Sequence, residues 1–136
     1  MTETACDLPY PPSINHYWRH FRGRTVISQE GRMFRTNVCA LLAGAGGARK
    51  PPAGGRVALA MDAFPPDRRR RDLDNLGKAP LDAIGHAGVY EDDSQIDFLM
   101  IRRHEVTPDG ALIVSIAEMP LTTCPVCGAA MRVEDN

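Results

Sequence analysis

Prolines and glycines divide this chain into short segments, and this punctuation constrains the fold more than any other feature of the sequence. Proline removes a backbone donor and glycine weakens helices and strands, so both mark the ends of elements. The densest break lies at residues 44–55, a loop too short and too plain to be a domain linker. No apolar run approaches the ~18 residues that cross a bilayer. We therefore expect one domain of short elements and no membrane span.

The first half of the chain predicts a strand, a helix and a second strand. Residues 4–9 are compatible with a strand that ends at the prolines after it. Ser28 is a plausible helix N-cap, with Glu30 in the first turn, and we expect this helix to end near Gly44. Residues 56–64 alternate as a strand. The apolar stripe of the helix consists of Phe34, Val38, Leu41, Leu42 and Ala45.

A second helix is predicted from about Asp74 to His86, with Gly88 as its C-terminal cap. Pro80 interrupts this helix, because its missing N–H would have bonded one turn back. We expect either a kink or a later start that leaves Pro80 in the first turn.

Two further strands are predicted at residues 95–106 and 111–119. Thr107-Pro108-Asp109-Gly110 lies between them and indicates a hairpin, since glycine accepts a positive φ. The resulting order, β-α-β-α-β-β, predicts an α+β domain with a small mixed sheet and two helices.

The net charge of −1 conceals an asymmetry along the chain. Residues 1–71 hold twelve Lys and Arg against five Asp and Glu, whereas residues 72–136 hold four against twelve. This pattern suggests a polyanion held by one region and a carboxylate cluster in the other, unless the two regions mix in space. The first residues lack a basic region typical of secretory signals. We therefore expect a cytoplasmic protein whose four cysteines are thiols or metal ligands.

Asp72 and Asp74 lie two residues apart, and Asp92 and Asp93 follow about twenty residues later. On an extended segment the first pair faces one point, and the turn after the second helix can return the second pair to it. Such a cluster is either a Mg²⁺ site or a set of solvated caps. Lys78 lies four residues after Asp74, on the same face of a helix. It forms either a surface ion pair or a phosphate contact.

Two basic segments are candidates for nucleic-acid contact. Arg68, Arg69, Arg70 and Arg71 precede the acids and suit phosphate contacts, although alternate members face opposite sides. Residues 13–25 are predicted to form an aromatic and basic loop, whose rings either stack on bases or insert into the core. The candidates in this loop are Tyr17, Arg19, Arg22 and Arg24.

Together these motifs resemble the RusA-type Holliday junction resolvases, over about residues 8–119. The matching motifs are Pro11-Pro12-Ser13-x-Asn15-x-Tyr17-x-Arg19-x-x-Arg22-Gly23-Arg24, Pro66-Asp67-Arg68-Arg69-Arg70-Arg71-Asp72-Leu73-Asp74-Asn75-x-x-Lys78, Asp82-Ala83, Ala87-Gly88 and Asp92-Asp93-x-Gln95.

The resemblance implies a homodimeric, Mg²⁺-dependent endonuclease, with Mn²⁺ able to substitute, that nicks opposing strands of a four-way DNA junction. It carries the essential aspartates onto Asp72, Asp74 and Asp93, with Asp92 the less certain of its pair, and the essential lysine onto Lys78. It also implies a bacterial host and a phage or prophage origin.

The tail from residue 120 to residue 136 lies outside the resemblance and holds Cys124-Pro125-Val126-Cys127-Gly128, which resembles one knuckle of a zinc ribbon. A structural Zn²⁺ site needs four ligands and one knuckle supplies two. A dimer would complete the set, as would Cys6 and Cys39 within one chain. The remaining alternative is a disordered tail with free thiols.

The sequence therefore predicts an endonuclease domain over residues 1–119 that resolves Holliday junctions by metal-assisted hydrolysis. Two alternatives stay open: a non-catalytic DNA-binding module with a zinc-ribbon-like tail, and a nuclease without junction preference.

Overall fold

A four-stranded mixed sheet carries the helices of this domain on one face. The computed structural model describes residues 4–44 and 55–131. The elements are β1 (Thr4–Leu8), α1 (Ile14–Tyr17), β2 (Trp18–Phe21), β3 (Arg24–Ile27), α2 (Gln29–Gly44), β4 (Val57–Phe64), α3 (Lys78–His86), β5 (Ile96–Arg103) and β6 (Ala111–Glu118), with 3-10 turns at Leu73–Asn75 and Asp93–Gln95. The predicted α+β class is confirmed.

The strand order in the sheet is β1-β6-β4-β5. β4 pairs in parallel with β5 and antiparallel with β6, and β1 pairs antiparallel with β6. The predicted hairpin between the last two strands is therefore wrong. Asp109 and Gly110 do form a tight turn, with φ of 65° and 69°. The strands on either side of the turn do not pair, because β4 lies between them in the sheet.

The core lies between the sheet and the helices α2 and α3. Side chains at alternate positions of β4 and β6 are fully buried on this face, and Phe34, Val38 and Leu42 of α2 pack against them. Leu41 is 47% exposed, so the predicted stripe of α2 is one residue too wide. Ala45, its last member, lies outside the described residues. The buried strand positions are Val57, Leu59, Met61, Ala63, Leu112, Val114 and Ile116.

The segment predicted as a loop at residues 13–25 is instead the short helix α1 followed by a β2–β3 hairpin. Arg22 and Gly23 form its turn, with φ of 49° and 73°. Two successive positive φ values match the twist of paired strands. The domain therefore has three helices and six strands among the described residues, and the simple β-α-β-α-β-β order lacks these extra elements.

The helix boundaries confirm three details of the sequence interpretation. The Ser28 hydroxyl accepts a hydrogen bond from the Gly31 N–H at 2.9 Å, as an N-cap does. Gly88, just after α3, has a φ of 87°. Pro80 is the third residue of α3, where its missing N–H costs no helical hydrogen bond. The later start of the helix is therefore correct. No helix among the described residues is both long and apolar enough to cross a membrane.

A polar contact joins all three helices. Tyr17, the last residue of α1, donates its hydroxyl to the Asp82 carboxylate on α3. Arg35 of α2 donates to the same oxygen at 2.8 Å. Burial raises the pKa of Tyr17 to about 12, and the bond to Asp82 adds to this effect. Burial opposes the charge of Asp82, but the bonds from Tyr17 and Arg35 outweigh it, so the pKa of Asp82 lies below its usual value.

We expect Tyr17→Phe to lower the unfolding free energy by about 1 kcal/mol, since one partly buried hydrogen bond is lost. This corresponds to a fall in Tm of roughly 2–6 °C, measurable by thermal denaturation. Tyr10→Phe is the matched control, because the Tyr10 hydroxyl has no hydrogen-bond partner among the described residues. Equal Tm values for the two variants would contradict the assigned contact.

The Asp82 contact also predicts an acid dependence of stability. A carboxyl whose pKa is lowered by folding contributes stability above the pKa of unfolded aspartate, about 3.9, and loses it as the pH falls. The difference in unfolding free energy between the wild type and Asp82→Asn should be constant above about pH 5 and shrink below about pH 4. Urea denaturation at several pH values measures it, and a difference unchanged at low pH would refute the assignment.

Candidate active site and nucleic-acid interface

Two of the predicted acids lie on the connection from β4 to α3. Asp72 is extended, with φ of −91° and ψ of 134°, and Asp74 lies in the following 3-10 turn. Both side chains are exposed. The chain after this turn packs closely on β5. Gly77 is buried against Ile101, and a Cβ added at Gly77 would lie 2.9 Å from the Ile101 side chain. The backbone thus presents the two carboxylates at the surface.

Lys78, at the start of α3, forms an ion pair with Asp93, which follows the end of the helix. Lys78 begins the helix, and its Nζ lies 3.7 Å from Asp93 Oδ2 in the turn that precedes β5. An exposed ion pair contributes only about 0–1 kcal/mol to stability. The contact matters because it places the Lys78 ammonium group beside the Asp93 carboxylate. Asp74 lies outside α3, and the predicted placement of Asp74 and Lys78 on one helical face is therefore wrong. The early 3-10 turn separates them.

Asp92 and Asp93 have different surroundings. Asp92 Oδ1 accepts from the Ser94 N–H at 2.8 Å, and chiefly this backbone bond lowers the pKa of Asp92. Gln95 completes a capping box by accepting from the Asp92 N–H, and it donates to the Gly55 carbonyl at 2.9 Å. Asp92 is thus engaged as a cap, which leaves Asp93 as the better candidate for a ligand.

The donor chemistry of this region fits a hard divalent cation. Carboxylate oxygens are the ligands that Mg²⁺ prefers, and within the described ranges the side chains of Asp72 and Asp74 make no hydrogen bond or ion pair. In the same ranges no three His, Cys, Asp or Glu side chains converge on one point. The structure therefore brings Lys78 and Asp93 together and leaves Asp72, Asp74 and Asp93 as separate exposed groups.

The four consecutive arginines divide into two kinds. Arg71 Nη1 donates to Asp67 Oδ1 at 2.7 Å, and its guanidinium lies 5.6 Å from the centre of the Tyr10 ring. The bond from Arg71, with one from the Arg69 N–H, lowers the pKa of Asp67 to about 2. Arg71 is therefore engaged by the fold. Arg68, Arg69 and Arg70 are exposed and form the cationic surface beside the acids.

The β2–β3 hairpin presents a second cationic surface. The guanidinium carbons of Arg19 and Arg22 each lie 5.3 Å from the centre of the Phe21 ring. Phe21 is 50% exposed, and Arg24 is exposed as well. A ring flanked by cations can stack on a base while the arginines contact phosphates. Phe21 was part of the aromatic segment noted in the sequence, but its place at the hairpin turn could not be read from composition.

Tyr17 does not belong to this surface. Its side chain is fully buried and bonded to Asp82, and an enclosed ring cannot stack on a base. The predicted nucleic-acid contact of Tyr17 is therefore corrected to a structural role. Sequence reasoning also missed Arg35 as its partner, since only the fold brings α1, α2 and α3 together.

The tail folds into a short turn that carries both predicted cysteines. Gly128 N donates to the Cys124 carbonyl and Cys124 N donates to the Ala129 carbonyl, each at 2.8 Å. The backbone N–H groups of Cys127 and Val126, then the Cys127 thiol, lower the pKa of Cys124. All four cysteines are free. Residues 120–131 thus form a defined turn with free thiols, and the last five residues lie outside the described part.

Comparison with known proteins adds a family to this geometry. Residues 9–117 match the family model described as Endodeoxyribonuclease RusA. The crossover junction endodeoxyribonuclease rusA of Enterobacteria phage 82 is 44% identical over 115 residues, which cover 82% of this chain and 92% of that protein. Crossover junction endodeoxyribonuclease RusA of Escherichia coli strain K12 is 42% identical over 122 residues, and that of Shigella sonnei 43%, each covering 88% of this chain and 98% of the relative. The match includes both acidic connections around α3 and the basic hairpin, and the chain therefore belongs to the RusA family of endodeoxyribonucleases.

Proposed function

We propose that this protein is a Holliday junction resolvase, an endodeoxyribonuclease that nicks paired strands of a four-way DNA junction in recombination and repair. Its main support is the identity of 42–44% to crossover junction endodeoxyribonucleases over nearly their whole length. The exposed acids lie beside a lysine and follow the exposed Arg68, Arg69 and Arg70 in the chain, which suits metal-assisted hydrolysis of a phosphodiester in DNA.

In the proposed mechanism Asp72, Asp74 and Asp93 are the residues that would hold Mg²⁺, with Mn²⁺ able to substitute. When bound, the metal would polarise the scissile phosphate and lower the pKa of a water molecule. Lys78 lies beside Asp93 and can place its ammonium group against the charge that develops on the phosphate. Asp92 holds the turn that presents Asp93. Asp82 limits the movement of α3, which carries Lys78.

The DNA contacts are assigned to the exposed arginines. Arg68, Arg69 and Arg70 adjoin the acids, so we propose that they bind the phosphates on either side of the cleaved bond. Arg19, Arg22 and Arg24 on the hairpin bind phosphates farther along, with Phe21 available to an unstacked base at the branch point. These contacts supply affinity without reading base sequence.

We also propose that two copies act together as a homodimer. A junction has approximate two-fold symmetry and two strands must be cut, which suits two sites related by a dimer axis. The sheet face opposite α2 and α3 supports this arrangement, since small and apolar side chains line a groove there. Those groove residues include Ala58, Ala60, Phe98, Ser115 and Ala117.

We place the enzyme in the cytoplasm of a bacterial host, with a phage or prophage origin. The phage 82 relative supports this origin, and four free cysteines are compatible with a reducing compartment.

We expect Asp74→Asn to retain junction binding and to lose cleavage. The variant keeps the shape of the side chain but removes the charge that binds the metal. Altering even the outer partners of a metal ligand typically costs about 10–100-fold in activity, so the loss should exceed this. The measurement is cleavage of an end-labelled mobile four-way junction with Mg²⁺, compared with a matched linear duplex.

Asp7→Asn is the matched control, since Asp7 is an exposed carboxylate on β1, at the opposite edge of the sheet from β5. Symmetric nicks on the junction alone should persist in this control. Cleavage of the junction by Asp74→Asn would refute the assignment of Asp74 as a metal ligand. Equal cleavage of junction and duplex would indicate a general nuclease, and binding without nicking by the wild type would indicate a DNA-binding module.

For the cationic surfaces, we expect Arg70→Gln or Arg22→Gln to weaken junction binding and to reduce its salt dependence. Each lost phosphate contact lowers the slope of log affinity against log salt concentration by about 1. Titration of labelled junction at several salt concentrations measures this slope. Arg32→Gln on α2 removes the same charge from a side chain that belongs to neither set and contacts the Ile27 carbonyl at the base of the hairpin, and it should leave the slope unchanged. Equal slopes for all three variants would refute the assigned contacts.

A further inference from the structure

The tail after β6 has a defined shape although it adds nothing to the core. An isolated bridge joins Thr123 to Ala130, and Met131 N donates to the Thr122 carbonyl at 2.8 Å. Two antiparallel segments of chain thus frame a tight turn from Cys124 to Gly128. Val126 at the turn is 65% exposed, so apolar burial does not explain why the turn is kept.

The turn has the geometry of one half of a zinc site. Cys124 and Cys127 are spaced to bind one metal, and Gly128 follows with a φ of 75°, a conformation that other residues rarely adopt. Gly128 N donates to the Cys124 carbonyl, which closes the turn. Two cysteines at this spacing in a closed turn are typical of structural zinc ligands.

One described chain cannot complete this site. Structural zinc takes four ligands, and no group of three or more His, Cys, Asp or Glu occurs in residues 4–44 and 55–131. Cys6 is half-buried on β1 and its thiol contacts the Val114 carbonyl. Cys39 lies on α2, on the far side of the sheet from the tail groove. The alternative in which Cys6 and Cys39 complete the set is therefore excluded.

The position of the tail indicates where the other two ligands come from. Residues 119–123 and Pro125 line the groove on the sheet face that carries no helix. This is the face on which a second copy would pack in the homodimer proposed above. A two-fold axis through that face would place the tails of both copies in the interface between the two sheets.

We propose that Cys124 and Cys127 from two copies of the chain together bind one Zn²⁺, so that the tails join the dimer through a four-cysteine site. This inference uses the dimer of the proposed function but not its chemistry. The zinc is structural, and all four positions are filled by sulfur, which leaves no open position for substrate.

Metal content and mass of the full chain test the inference. Protein purified with a thiol reductant and Zn²⁺, then freed of excess metal, should contain one zinc per two chains in a species with the mass of a dimer. X-ray absorption should show four sulfur neighbours at about 2.3 Å. Cys124→Ser and Cys127→Ser should each lose the bound zinc, whereas Cys39→Ser, the matched control, should retain it.

Three results would overturn the inference: one zinc per chain, no zinc, or zinc retained by Cys124→Ser. Zinc held by the acids would appear as oxygen neighbours and would be lost in Asp74→Asn instead. Neither readout involves DNA. Normal junction cleavage without bound zinc would refute this inference alone, whereas half-stoichiometric zinc without cleavage would refute the proposed activity alone.

Discussion

Parallel pairing of β4 with β5 is the constraint on which the active region depends. Parallel neighbours cannot be joined by a tight turn, and the chain must cross over the sheet between them. Here the crossover contains α3, whose nine residues span only about 13 Å. Both connections of so short a helix lie close to each other, and each carries acids. The approach of Lys78 to Asp93 follows from this arrangement.

In each run of like-charged residues, one side chain makes hydrogen bonds within the fold and its neighbour is exposed to solvent. Asp92 caps a turn while Asp93 is exposed, and Arg71 binds Asp67 while Arg70 is exposed. One residue of each pair fixes the backbone and the adjacent one faces solvent. Such runs therefore need both members, although only one is available to a ligand.

Much of the fold could be predicted because it depends on local chemistry. Ser28, Gly88 and Pro80 act through their own backbone geometry, so their effects on helix ends are visible in sequence. Pairing of strands is not local: β6 pairs with β4 and β1, which both lie far from it in the chain, and the Pro108-Asp109-Gly110 turn could not reveal that. The candidate residues of the proposed site could be chosen from residue type and spacing. The burial of Tyr17 was not, since it depends on Asp82, which lies 65 residues away.

The position of Tyr17 at the base of the hairpin has a mechanical consequence. β2 begins at the next residue, and a hairpin with four-residue strands projects about 13 Å. Rotation of the hairpin about its base changes the Tyr17–Asp82 distance, and Asp82 is one helical turn from Lys78. The base of the hairpin is thus hydrogen-bonded to α3, the helix that carries Lys78. Movement of the hairpin therefore strains a contact of the helix that carries Lys78.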